Sequence, residues 1–126
     1  MAASSATLHE DPEKLGPEAI DRHRATMSII EELEAIDWYD QRVLASDDAE
    51  LRAILAHNRD EEKEHAAMLL EWLRRHDEAL DAHLRTYLFS DGPVTALEAA
   101  QKTATPASGP GADGSLGVGH MRGGAL

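Results

Sequence analysis

The 126-residue chain has no cysteine. That removes disulfides, thiolate metal sites and thiol nucleophiles together, and leaves no redox signal beyond compatibility with a cytosol. No window approaches the ~20 consecutive apolar residues needed to span a bilayer. Met1 to His9 has neither a basic region nor a long apolar run, so no signal peptide is expected. Positive charge is scarce: 12 Lys and Arg stand against 24 Asp and Glu, for a net charge of -12 and a pI near 4.8. This balance argues against nucleic acid and anionic membrane as partners and suits a protein that attracts cations. Internal repeats are absent, and neither Gly nor Pro interrupts residues 48–77. The expected product is soluble and cytoplasmic, with about 90 residues able to build one small core.

The long uninterrupted segment carries the chemistry. Alternating steps of four and three from Leu51 visit Leu55, Asn58, Glu62, His65, Leu69, Trp72 and His76, the stripe that a partner helix would cover. Glu62 and His65 sit inside that stripe, three residues apart, so a carboxylate and an imidazole point from one face toward one place. A buried unpaired carboxylate costs several kcal/mol or stays protonated, and a bound cation removes that penalty. Carboxylate-bridged di-iron bundles use a lone Glu from each of two helices and a Glu-x-x-His from each of the other two. The lone Glu is Glu32. It is the single charge in the stripe Ala25, Ile29, Glu32, Ile36, Tyr39 and Val43 of an earlier helix expected from about Pro17 to Ala45. An adjoining stripe, Thr26, Ile30, Leu33 and Asp37, is also partly apolar, so this helix needs covering on a broad face.

The rest of the chain organises around these two helices. Residues 1–15 are small, polar and aperiodic and are expected to form a flexible arm, with the helical domain spanning 16–90. Pro17 and Glu18 suit a helix start. Ser46 to Glu50 form a short turn in which Asp47 is expected to cap the second helix and Glu50 to close a capping box, and so short a link makes the helices antiparallel. The second helix should run from about Asp48 to Asp77. Helical spacing persists through Leu80, Leu84, Tyr87 and Leu88, as a continuation or as a separate helix, until Ser90, Asp91, Gly92 and Pro93 stop it. A short helix from Val94 to Gln101 falls within a linker, 91–114, that shifts to Thr, Pro, Ala, Ser and Gly, and a disordered tail, 115–126, follows.

The fold class is therefore all-α: an antiparallel two-helix hairpin, half a ferritin-like bundle. One hairpin leaves much of its apolar surface wet and should not be stable alone, so it is expected to dimerise into a four-helix bundle. A two-fold dimer brings two sets of Glu32, Glu62 and His65 together, giving four carboxylates and two imidazoles. That donor set suits iron or manganese, and also accepts zinc or cobalt. Two metals held side by side can each pass one electron from Fe(II) to oxygen. Off the seam, Glu31 and Glu34 read either as a carboxylate pair that collects metal or as an ordinary solvated face. Trp38 and Tyr39 can pack beside the metals, with Tyr39 able to hydrogen-bond a ligand or donate an electron. His57 with Glu61 is a competing pair beside the seam.

Two runs, Glu31 to Asp40 (EELEAIDWYD) and His57 to Met68 (HNRDEEKEHAAM), resemble the encapsulated ferritins, the ferritin-like cargo proteins of encapsulin nanocompartments. The resemblance covers about His23 to Leu88. It implies a ferroxidase whose di-iron centre forms only at a dimer interface, two irons to each, with five dimers closing into an annular decamer. It implies that Glu32, Glu62 and His65 are ligands with Tyr39 adjacent, and that metal enters by way of Glu31 and Glu34. A protein of this kind has no mineral cavity of its own and depends on a surrounding shell. Leu116, Gly117, Val118, Gly119, His120, Met121 and Arg122 resemble the family's shell-docking peptide, with His120 and Met121 departing from its usual small polar residue and leucine. Two other function classes stay open on the residues alone: a metal-buffering module without turnover, and a structural helical dimer whose acidic seam sets register.

Overall fold

The structure, a computed structural model, describes residues 7–104, and every described element is helical. Four helices follow in order: α1 (Pro12–Ala45), α2 (Ala49–Arg75), α3 (Glu78–Tyr87) and α4 (Val94–Ala104). They fall into two compact units, divided between His76 and Asp77. None is long and apolar enough to cross a membrane.

In the first unit, Asp11 opens α1 by accepting from Glu13 N at 3.0 Å. One turn later Gly16 breaks the helical path with φ 81° and ψ 164°. Left-handed backbone of this kind suits glycine, and Pro17 then restarts the helix with a preset φ. The main run of α1 therefore begins where the sequence places it, and the region expected as an arm contains a capped helical turn. At the far end, Ser46 N returns to Arg42 O at 3.1 Å and α1 stops.

The link to α2 corrects one expectation. Ser46 Oγ accepts from Asp48 N at 3.2 Å, and Asp48 Oδ1 accepts from Leu51 N at 2.9 Å. Asp48, not Asp47, is thus the N-cap. Leu51 then occupies the third helical position, and Glu50 stands one residue too early to close a capping box. The helices run antiparallel, because contacts pair Asp40 with Arg59 and the earlier Glu32 with the later His65. The seam is the one legible in the stripes: Ala25 and Val43 are buried, and Ile29, Ile36, Leu55 and Leu69 are half-buried. The neighbouring stripe of α1 is uncovered, with Ile30 41% and Leu33 55% exposed.

Helix α2 ends at Arg75, where Glu71 takes hydrogen bonds from Arg74 and Arg75 that hold its carboxyl down at about 2. His76 stacks on Trp72 with centroids 3.8 Å apart. The choice left open beyond Asp77 is settled as a separate helix: in the second unit Asp77 caps α3 by accepting from Leu80 N at 2.9 Å. Asp81, buried, pairs with Arg85 at 3.0 Å. After α3, Phe89 and Gly92 take positive φ and Pro93 leads into α4, matching the expected stop. The tail from Leu116 to Arg122 lies outside the described residues.

Capping gives a direct check of the turn. Asp48→Ala should destabilise the protein by about 1 kcal/mol, whereas Asp47→Ala should stay within about 0.5 kcal/mol of the parent, both measured by urea unfolding followed by circular dichroism.

Candidate metal centre

Helical periodicity alone puts Glu32 on the inner stripe of α1 and Glu62 with His65 on the inner stripe of α2. The antiparallel pairing then brings the three together. One ligand atom from each lies within 4.8 Å of the others, the single such group of three among the described residues. His65 Nδ1 stands 3.2 Å from Glu62 Oε1 and 3.7 Å from Glu32 Oε1. A carboxylate only accepts, so the Nδ1 proton is the one donated toward Glu62. The side chains of Glu32 and Glu62 are 24% and 25% exposed, and that of His65 43%. The cluster is therefore partly shielded and partly accessible to solvent.

Crowding acids at such a place sets their protonation. Glu32 is raised, first by its hydrogen bond to Glu62, then by burial and the Glu62 charge. Glu62 is lowered, first by the same hydrogen bond and further by His65. Crowding thus pushes the two carboxyls apart, Glu32 toward its protonated form and Glu62 toward its ionised form. His65 is raised, chiefly by its hydrogen bond to Glu62 and further by Glu32 and Glu61. A divalent cation among the three ligand atoms would satisfy the two oxygens and the nitrogen at once, so the donor chemistry fits a metal. Carboxylate and imidazole donors suit iron, manganese or zinc. Three protein ligands are too few to complete the coordination of such an ion, and fewer still for two.

The remaining candidates lie around this group. Glu31 and Glu34 are exposed on α1, outside it. Tyr39 is half-buried on the same stripe two turns beyond Glu32, with the Arg42 guanidinium 5.2 Å from its ring centroid. Trp38 is 52% exposed. His57 and Glu61 approach to 3.9 Å at the surface, with side chains 72% and 49% exposed. Glu61 also reaches 4.0 Å from His65 Nε2. The sequence pattern pairs Glu61 with His57, and its spacing of four from His65 is the signal for this second approach.

With the site described, the chain can be set beside known proteins. A family model described as EncFtn-like matches residues 7–91. The chain belongs to the EncFtn-like family. It is 59% identical to an encapsulated ferritin-like protein of Rhodospirillum rubrum, over 98% of this chain and 93% of that one. It is 41% identical to the encapsulin nanocompartment cargo protein EncC of Myxococcus xanthus, over 47% of this chain and 45% of that one. Among solved structures, protein ne0167 from Nitrosomonas europaea superposes with a TM-score of 0.67 at 60% identity, covering 69% of this chain and 96% of that chain. The family resemblance read from the two sequence runs is borne out, as is the all-helical fold.

Electrostatics at the cluster predicts an order of effects. His65 is raised, so its pairing stabilises the fold fully below the usual histidine value of 6.5 and is lost as pH rises through the raised value. Glu62→Gln removes the largest contributor and should lower the His65 titration midpoint more than Glu32→Gln does, read by NMR of histidine-labelled, chelator-treated protein.

Proposed function

We propose that this protein is a ferroxidase, oxidising Fe(II) with oxygen at a two-iron site completed by a second copy of the chain. One observation carries the reading: three partly exposed ligand atoms converge across the α1–α2 seam, too few to hold two metals. A two-fold axis beside the cluster would double the set to four carboxylates and two imidazoles. The uncovered Ile30 and Leu33 stripe supports such an arrangement, because exposed apolar side chains gain by being covered. Family membership points the same way, toward iron as the substrate metal.

In this reading Glu32, Glu62 and His65 hold the iron, and each Fe(II) gives up one electron to oxygen. The chain's own residues prepare that step. Metal binding competes with protonation at Glu32 and His65, whose crowding raises their hold on protons, so metal affinity should fall as pH drops. Tyr39 borders the assembled site as a hydrogen-bonding or electron-donating group, and exposed Glu31 and Glu34 gather incoming ions. Five such dimers close into a ring.

The relatives' names describe one protein as encapsulated and another as encapsulin cargo. By extension this chain works inside an encapsulin shell, docked through Leu116 to Arg122, and the shell stores the oxidised iron. Its location is then the cytoplasm, within that compartment.

Aerobic Fe(II) oxidation, followed by iron absorbance on protein sized by native mass spectrometry, tests the activity. The parent should exceed the free-solution rate only in its associated form. Glu32→Ala, Glu62→Ala and His65→Ala should each fall to the free-solution rate. Equal rates for parent and variants would instead favour metal buffering without turnover. Ile30→Glu combined with Leu33→Glu should shift the mass to monomer and abolish the activity together.

A further inference from the structure

Arg59 and Asp40 are not among the ligands, yet they tie together the two helices that carry them. Arg59 Nη1 donates to Asp40 Oδ1 across the seam at 2.9 Å, while Arg59 Nε donates to Asp60 Oδ1 on its own helix at 3.1 Å. A planar guanidinium held at two of its N–H groups has a fixed direction. The Arg59 side chain is 22% exposed and that of Asp40 50%, so the bond is shielded from solvent only on the arginine side.

What the pair constrains is the axial register of α1 against α2. Apolar packing restrains that register weakly: Ala25 and Val43 are the buried apolar residues of α1, and α2 has no buried residue. Sliding is resisted by interdigitated, close-packed side chains, and here most are half-exposed. A slip of one residue displaces one helix by about 1.5 Å. Metal–ligand bonds tolerate only about 0.2 Å. Glu62 and His65 share a helix, so their spacing survives a slip, whereas Glu32 stands on the other helix and moves away from both. Arg59 lies within a turn of Glu62, and Asp40 lies between Glu32 and the link to α2. The pair thus forms a polar rung between the cluster and the turn.

We propose that Arg59 and Asp40 are a register clamp that sets Glu32 against Glu62 and His65 for metal binding. Both are positioning residues and touch no reacting atom. The proposal rests on the metal-site reading above, and its test separates the two.

Full-length assembled protein is titrated with Co(II), whose visible absorption reports both affinity and ligand geometry, while circular dichroism and native mass follow helix content and assembly. Arg59→Met and Asp40→Asn should each weaken Co(II) binding by about 10-fold or more and alter its bands, with helix content and mass unchanged. Arg59→Lys keeps the charge but loses the fork, and should fall between the parent and Arg59→Met. Exchanging the partners, Asp40→Arg with Arg59→Asp, should recover affinity. Glu32→Ala is the reference. If Glu32→Ala leaves Co(II) binding unchanged, the site reading fails and the clamp fails with it. If Glu32→Ala weakens binding but both clamp variants match the parent, the clamp is wrong and the site stands. Loss of helix or assembly in both clamp variants also overturns it, because the pair then holds the fold and not the register.

Discussion

Two carboxyls and an imidazole facing one another across a thin helix seam are the constraint on which this structure turns. Ionising both Glu32 and Glu62 at contact is costly, so Glu32 is raised and Glu62 lowered, and His65 is raised beside them. A seam meant only for stability would place apolar residues at these three positions. The cost is moderated by half-exposure, and the same half-exposure leaves the cluster accessible to a cation. Stability and chemistry therefore compete for the same few residues.

The thinness of the seam follows from the helix pattern. Each long helix offers one inner stripe, and on α1 the residues most covered are an alanine and a valine. No large side chain among the described residues is fully buried. A close-packed core would hold the helices in register by volume alone. Here polar contacts carry more of that work: Asp48 fixes where α2 begins, and Arg59 reaches across to Asp40. Such contacts are directional, which packing between half-exposed side chains is not.

The clustering of Glu32, Glu62 and His65 is legible in the sequence, because helical periodicity is a strong signal over long uninterrupted segments. The stripes through Glu32 and through Glu62 and His65 predict facing positions, and the short link predicts the antiparallel pairing that brings them together. Features that depend on one residue of phase were less legible. Asp47 and Asp48 are equivalent acids in the sequence, and the choice between them rests on Ser46 taking the Asp48 N–H. Helical spacing continues across His76 and Asp77, so periodicity could not reveal that a second cap starts a new helix there. The Arg59 to Asp40 bond was illegible for a related reason. A long arginine beside several acids has local partners in the sequence, and Asp60 is one of them. Only the realised register shows that Asp40 lies within reach as well.

In the proposed ferroxidase, dividing the site between helices and then between copies of the chain has a consequence for control of the chemistry. Glu62 and His65 are three apart on one helix, so any peptide that forms that helix presents them together. Adding Glu32 requires the hairpin in register, and adding a second set of ligands requires association. Each level supplies donors that the level below lacks. Fe(II) oxidation by a partial site would release reactive oxygen species and Fe(III) with nothing to receive them. A three-ligand half-site on an exposed face binds a hydrated ion without enclosing it. Reducing one dioxygen molecule to peroxide takes one electron from each of two irons, and so, in the proposed site, both copies. The ordering of donors by helix, hairpin and assembly would then make the redox step wait for the assembled form.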